Sequence, residues 1–408
     1  MKTRALILVE GGPWGCGQLC VQAAQRLGLH PITLSADPTG NRYLVTEGSE
    51  AIRVDTSNLD ALISECSRLR AIYDIAGIMG RSVFYATVGK LCRHFDLPGP
   101  NPASIERCED KFTQRQLLAE AGVPMPAYRL ATNARDAASS AAEIGLPVIL
   151  KPAVDGGSIG VRLCRNVDEV AEHTAYLLGG EYIWQSSPRI LVEEFAQGPY
   201  YEADIMGKDV IAIGAGDFGP PPHFVYREYI YPAPLTDEEY TCIADISLSC
   251  LRALDLGFGA ICIEFRWTKR GPVVIEVNPR MAGTPAPQLV HLAYGIDLIA
   301  EHIKLFTGDK CDLRRRHSHI AAARFLVADR DGVLDWIGDE RRAAAVSGVA
   351  EVKFYVEPKT PIIRKGDFRD TIGHVIAASS SRAQTEATLQ RAVDMVDWSI
   401  TPFPTLGE

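Results

Sequence analysis

Residues 257–280, from Gly257 to Arg280, read GFGAICIEFRWTKRGPVVIEVNPR, and the rest of the chain is organised around them. Two runs rich in aliphatic and aromatic residues, Ala260 to Trp267 and Pro272 to Val277, flank the polar Lys269-Arg270-Gly271. This pattern predicts a β-hairpin, here with a three-residue loop centred on Arg270. Folding the segment symmetrically about Arg270 sets Glu264 opposite Glu276. Side chains alternate faces along a strand, so Asn278 shares the face of Glu276. Directly opposed residues have Cβ atoms about 4.5–5.5 Å apart, and like charges so placed repel. Two carboxylates facing each other within apolar strands need a compensating charge. A hard divalent cation with oxygen ligands supplies it, usually Mg²⁺ held by one or two carboxylates plus substrate phosphates. The other reading is an edge hairpin whose glutamates lie in water.

The remaining composition narrows the classes. At 408 residues the chain exceeds one ordinary core, so two to four domains are expected. Hydrophobic content of 47% and charged content of 23% are those of a globular protein. A formal charge of −9 argues against nucleic acid as a partner. No apolar run approaches membrane-spanning length, so no membrane partner is expected. The opening MKTRALILVEGG reads as a first strand running into glycines, not as a signal peptide. The ten cysteines form no C-x-x-C pair, which suits reduced core thiols in the cytoplasm. His317 and His319 follow Arg314-Arg315-Arg316 and read as an exposed connector.

Residues 1 to about 100 alternate strands (Arg4–Val9, Pro31–Ser35, Ala51–Val54, Ile72–Ala76) with helices (Gln18–Leu27, Leu59–Leu69, Ser82–Phe95), which predicts a parallel sheet covered on both faces. After the first strand, Gly15-x-Gly17-x-x-Cys20 is a near-match to a dinucleotide fingerprint, with Asp37 near the distance of a ribose ligand. The glycines read equally as a carboxylate-binding loop at a helix N-terminus or as a plain tight turn. Leu97 to Pro102 carries three prolines and a glycine and ends this region. Strand Pro147–Pro152 then carries Lys151, followed by the loop Asp155-Gly156-Gly157-Ser158-Ile159-Gly160. Such glycines let backbone N–H groups approach phosphate oxygens, and Ser158 adds a hydroxyl. It is not a Walker loop, because the lysine precedes the glycines. Arg81 lies at a strand-to-helix junction, where parallel sheets place ligands; a substrate carboxylate and a plain surface role are both open.

Lys111, Lys151-Pro152, the Asp155–Gly160 loop, Val192-Glu193-Glu194-Phe195, Glu264 and Glu276-Val277-Asn278-Pro279-Arg280, in this order, resemble the ATP-grasp superfamily of carboxylate–amine ligases. Asn278-Pro279-Arg280-Met281-Ala282-Gly283, Tyr294-Gly295-Ile296-Asp297-Leu298 and Gly373-His374-Val375-Ile376-Ala377 look like the L-amino-acid ligases, the group that includes bacilysin-type and dapdiamide-type dipeptide synthetases. The resemblance implies α/β and α+β architecture with an ATP-grasp fold. Its parts would be an N-terminal Rossmann-like domain (1–100), a small lobe (101–190) and a large lobe (191–408) sandwiching ATP, with a C-terminal α+β extension from about 311.

The same resemblance implies roles. Lys111 and Lys151 contact the phosphates of ATP, and Ser158 covers them. Glu193, Glu194 and Phe195 lie at the adenine edge. Glu264, Glu276 and Asn278 hold Mg²⁺, with Mn²⁺ able to substitute, and Arg280 steadies the transferred phosphate. Where the family commonly holds the ribose with Glu two positions after the linker glycine, this chain has Tyr200, and Glu202 is the candidate instead. Arg81, Gly283 and Thr284 are candidates for the substrate. The implied reaction joins a carboxylic or amino acid to an amino acid through an acyl-phosphate, in a homodimer. Rival readings are another ATP-grasp ligase (purine-pathway or biotin-carboxylase-like), a non-catalytic nucleotide-binding protein, and an NAD-dependent oxidoreductase.

Overall fold

The computed structural model describes residues 2–10, 16–40, 42–80, 84–154, 156–179 and 189–404. Gly15, Arg81 and Asp155, to which roles are assigned above, lie outside the described residues. In the N-terminal part, β1 (Arg4–Glu10), β2 (His30–Ser35), β3 (Glu50–Arg53) and β4 (Asp74–Gly80) form a parallel sheet of order β3-β2-β1-β4. The helices α1 (Gly17–Arg26), α2 (Arg42–Thr46), α3 (Leu59–Ile72) and α4 (Tyr85–Phe95) belong to the same part. The strand expected at Ile72–Ala76 begins later, because α3 runs through Ile72 and leaves that side chain exposed. Asp37 caps its own turn through Thr39 and pairs with Arg53 at 3.0 Å.

Next come α5 (Pro102–Glu109) and α6 (Lys111–Glu120), each opened by a side-chain cap, Asn101 and Asp110 respectively. An antiparallel sheet follows, built from β5 (Tyr128–Ala131), β6 (Val148–Pro152), β7 (Arg162–Cys164) and β8 (Ile190–Glu194) in the order β5-β8-β6-β7. The helices α7 (Ala134–Ile144) and α8 (Val167–Gly179) bury Val148, Leu150, Ile190 and Val192 on one face. Alternation therefore sends Ile149, Lys151 and Glu193 to the other face, which looks into the cleft.

The far wall of the cleft is an eight-stranded sheet. It takes in β9 (Tyr200–Met206), β10 (Asp209–Phe218), β11 (Tyr226–Tyr231), then, after α9 (Asp237–Leu254), β12 (Ala260–Thr268) and β13 (Gly271–Asn278). Beyond α10 (Ala286–Tyr294) and α11 (Leu298–Thr307) come β14 (Ile320–Val327), β15 (Gly332–Gly338), α12 (Glu340–Ala344), β16 (Val349–Phe354), β17 (Pro361–Ile362), β18 (Thr371–Ser379), α13 (Arg382–Val393) and β19 (Asp397–Thr401). The order β13-β12-β9-β10-β11-β14-β18-β16 shows that the C-terminal segment extends the same sheet, while β17-β15-β19 form a small sheet of their own. One face packs on α9 and, further along, on α13. The other packs on α10 at its centre and faces the cleft toward one end.

The hairpin that organises the chain forms with one correction. Its loop has two residues, Lys269-Arg270, closed by the pair Thr268 and Gly271, not three residues centred on Arg270. Gly271 takes a φ of +96°, which suits glycine. A register shift between Glu264 and Phe265 then moves the pairing by one residue, and Glu264 still faces Glu276. The bulge also lets Val274 and Val277, three residues apart, both enter the core under α9.

Candidate active site

Strand pairing builds a row of carboxylates that the hairpin alone does not contain. Glu264 is opposite Glu276 on β13 and, on its other side, opposite Glu202 on β9. Asn278 reaches across to Glu264, its Nδ2 donating to Oε1 at 3.1 Å, and Arg280 donates to Asn278 Oδ1 at 3.2 Å. Burial beside Glu276 and Glu202 pushes the Glu264 carboxyl up to about 8. Burial acts on Glu276 in the same direction, but Lys111 and Lys151 outweigh it and hold this carboxyl below the usual range. Lys111 Nζ lies 2.9 Å from Glu276 Oε1.

Glu202 lies in this row and not among the residues that line the cleft, where Tyr200 and Arg266 stand instead. It is 4% exposed and accepts hydrogen bonds from Tyr229 at 2.9 Å and Tyr231 at 3.0 Å. The residue expected at the ribose thus stands in the carboxylate row with its oxygens on these tyrosines. The tyrosines reach it only because β10 has glycines beneath them. A Cβ on Gly214 would sit 2.3 Å from the Tyr231 ring, and one on Gly216 would sit 2.8 Å from that of Tyr200. Burial next to these carboxylates keeps the phenols of Tyr200, Tyr229 and Tyr231 well above their usual range, so they remain donors.

The donor set suits a hard cation. Glu264, Glu276 and Asn278 present oxygens on one face, and burial, followed by the charges of Glu276 and Glu202, raises the Glu264 carboxyl, a cost that a cation would relieve. Ligand atoms of Glu202, Cys262 and Glu264 also lie within 4.8 Å of one another. Burial pushes the Cys262 thiol well up, however, and the Glu202 oxygens are already engaged by tyrosines. These residues fit Mg²⁺ through Glu264, Glu276 and Asn278 better than a softer ion through Cys262.

Across the cleft, β6 delivers Lys151 and β8 delivers Glu193. Lys151 Nζ is 2.6 Å from Glu193 Oε2, and Arg115 Nε is 2.6 Å from Glu193 Oε1. Burial alone would raise the Glu193 carboxyl, but Arg115 and Lys151 together hold it below its usual value. Burial lowers the Lys151 ammonium, with Glu193 opposing. The side chain of Glu193 is therefore fully engaged, and that of Glu194 pairs outward with Arg270 at 2.7 Å. Phe195 lines the cleft near Phe224. Ser158 sits at φ +62° between Gly157 and Gly160, both also at positive φ. Phe368 from the C-terminal part lies against Gly157, and its N–H donates to Gly157 O at 3.3 Å. Gly283 is exposed, and Thr284 is half-buried beside Tyr355.

Two residues missed in the sequence hold the hairpin to the rest. β13 is an edge strand, and α6 covers its edge. Gln114 accepts from Val277 N–H at 2.9 Å and donates to Val277 O at 2.8 Å, while Arg115 donates to Ile275 O. An open edge would be prone to pair with another chain, so this cover also protects it. Gln114 and Arg115 stand three and four positions after Lys111, on its helix face, and that spacing could have marked them.

The described residues include no helix long and apolar enough to cross a membrane. Two family models match the chain: Carbamoyl-phosphate synthase L chain, ATP binding domain, over residues 110–314, and L-amino acid ligase C-terminal domain 2, over residues 324–401. Uncharacterized protein y4rH of Sinorhizobium fredii (strain NBRC 101917 / NGR234) is 58% identical over 406 residues, which span 99% of this chain and 85% of that protein. Carnosine synthase 1 of Homo sapiens is 25% identical over 327 residues, 74% of this chain but 39% of that longer protein. The crystal structure of an L-amino acid ligase from Bacillus licheniformis superposes with a TM-score of 0.81 over 98% of this chain and 100% of that one, at 18% identity, and so shares the fold. The carboxylate hairpin, the facing lysines and the glycine loop thus sit where a family-wide ATP-binding domain lies, and the chain belongs to the ATP-grasp ligases, with an L-amino acid ligase C-terminal domain behind its ATP-binding domain.

Proposed function

We propose that the chain is an ATP-dependent carboxylate–amine ligase that joins an amino acid or small carboxylic acid to an amino acid, releasing ADP and phosphate. The observation that carries this reading is the opposed pair Glu264 and Glu276, with Asn278 and Arg280 beside it and Lys111 and Lys151 lining the same cleft. Bringing a carboxylate to the γ-phosphate of ATP sets anion against anion, so the barrier is largely electrostatic. Lys111 and Lys151 bind the phosphates, and Arg280 holds the transferred group as the acyl-phosphate forms. Glu264, Glu276 and Asn278 would hold Mg²⁺, or Mn²⁺ in its place, which when bound neutralises phosphate oxygens. Water would destroy the acyl-phosphate, and the Gly156–Gly160 loop, backed by Phe368, excludes it. Arg81, Gly283 and Thr284 would meet the substrate.

The C-terminal domain match and the likeness to proteins named L-amino acid ligase and carnosine synthase support amino acids as substrates. The ten cysteines, all free, suit the cytoplasm. A homodimer belongs to the same reading and is checked by sedimentation. The deciding test is ADP and phosphate release with Mg-ATP against amino acids and small acids, singly and in pairs, with products identified by mass. Release that needs a particular pair, with a product lighter than their sum by one water, establishes the ligase. Release that needs bicarbonate or a ribosylamine would favour the rival ATP-grasp reactions, and binding without turnover would favour a silent nucleotide-binding protein.

A further inference from the structure

The sheet face that carries the carboxylate row continues to a second polar group at its other end. Tyr229 is opposite Ala323, Ala323 opposite Ile376, and Phe325 opposite His374, which in turn faces Lys353 on β16. α10 packs over Ala323 and Ile376, and His374 lies two residues beyond its cover. His374 is 1% exposed, with both ring nitrogens engaged. Its Nε2 is 3.0 Å from Glu351 Oε2, and its Nδ1 meets the Tyr355 hydroxyl. The hydrogen bond from His374 outweighs burial and holds the Glu351 carboxyl below its usual range, so this oxygen accepts and Nε2 carries the proton. In the neutral ring Nδ1 then accepts, and Tyr355 donates to it. The tautomer follows from this network. Burial keeps the Tyr355 phenol above its usual range, and Thr284 stands near its hydroxyl. A phenol oxygen has two lone pairs, so while its proton is given to His374 it can accept from an incoming donor. Among the described residues, Lys353 and Cys16 are the other ionisable groups facing this set, the first beside Glu351 and the second near Tyr355.

The phosphate chemistry makes no use of this chain of groups, yet it ends beside the cleft. Thr284 belongs to the short loop that follows Arg280, and Arg280 is tied to that loop through Met281 O at 3.0 Å. Cys16 Sγ reaches Ala282 O at 3.9 Å, so the N-terminal part, the large lobe and the C-terminal part all meet at this loop. An amine arriving at an acyl group held by Arg280 comes as ammonium and must lose a proton before its lone pair can attack. We propose that Tyr355 takes this proton while passing its own to His374, with Glu351 holding the imidazolium that results. The inference rests on the ligase reading above.

The step balances. One ammonium proton moves to the Tyr355 oxygen as the phenol proton moves to His374 Nδ1. The amine lone pair forms the C–N bond, the C–O bond to phosphate breaks with its electron pair leaving on phosphate, and the second proton shed by the new amide nitrogen goes to that departing phosphate. His374 returns its proton through Tyr355 to solvent once phosphate departs. Tyr355 touches the amine and is the catalytic residue of this step; His374 and Glu351 are positioning residues that act through it.

The test uses the full chain with Mg-ATP and a mixture of the common amino acids and small carboxylic acids, with and without hydroxylamine. Hydroxylamine is uncharged at neutral pH, so it captures the acyl-phosphate as a hydroxamate without needing a base. Tyr355→Phe removes one oxygen, and His374→Gln keeps a donor and an acceptor but takes up no proton. Both variants are expected to lose dipeptide formation by about a hundredfold, the scale of general base catalysis, while hydroxamate formation stays within about twofold of the unaltered chain. Their dipeptide rate is also expected to rise more steeply with pH, as solution supplies the free amine. Equal loss of both products would leave only a structural role and overturn the relay, as would loss of neither. If the unaltered chain forms neither hydroxamate nor dipeptide, the ligase reading itself falls, and the relay with it.

Discussion

Replacing Gln114 with Met tests whether α6 is what holds the carboxylate hairpin in place. The substitution nearly conserves volume at a site that is 1% exposed, so packing changes little. It removes the hydrogen bonds to Val277 N–H at 2.9 Å, Val277 O at 2.8 Å and Cys108 O at 2.8 Å. Val277 O keeps a weak partner in Cys108 Sγ at 3.2 Å, so the N–H of Val277 is the group most clearly stranded. A buried group left unsatisfied costs about 1–3 kcal/mol, and the two lost carbonyl contacts bring the expected total to about 2–4 kcal/mol. The chain holds several sheets, so a single unfolding midpoint is a poor measure of this local loss. Hydrogen exchange at the Val277 amide reports it directly. At about 1.4 kcal/mol per tenfold, exchange should quicken by about 30- to 700-fold. ATP-dependent turnover should fall as well, because Glu276 and Asn278 flank Val277 and Lys111 opens the helix that carries Gln114. Unchanged exchange at Val277 in a folded Gln114→Met chain would refute the idea that α6 clamps this edge.

Three further outcomes follow from the same geometry. The raised Glu264 carboxyl binds its proton more tightly folded than unfolded, so the metal-free chain should lose stability as pH rises from about 4.5 through about 8; Glu264→Gln should flatten this slope, and added Mg²⁺ should restore stability at the upper end, as thermal melts across pH would show. Gly214→Ala puts a Cβ against the Tyr231 ring and should cost about 1–3 kcal/mol by overpacking, read by denaturant unfolding, while Gly207→Ala in the neighbouring turn has no such clash and tests φ strain alone. Gly157→Ala combines a positive φ with a Cβ 2.6 Å from the Phe368 ring, so it should push the loop off its C-terminal support and raise KM for ATP about tenfold, with amino-acid KM less affected.

The sequence by itself determined what depends on neighbours along the chain. Glu264 faces Glu276 because a turn brings two periodic runs together, and local alternation then sets Asn278 beside them. The glycine loop after Lys151 and the alternating N-terminal part were legible for the same reason. Even there, the two-residue loop and the compensating bulge escaped, since a bulge answers to packing under α9 and to the reach of Arg115, which lie far off in sequence. Tertiary structure alone decided the rest. Glu202 joins the carboxylate row only because β9 pairs with β12, and Tyr231 reaches it only because glycines lie on the strand between. Gln114 and Arg115 cover an edge that exists only once β13 is known to be outermost. His374 meets Tyr355, and Tyr355 comes near Thr284, only because β14, β18 and β16 extend the same sheet. Strand order is set by non-local pairing and by the burial of whole faces, and no stretch of sequence carries that information in its own periodicity.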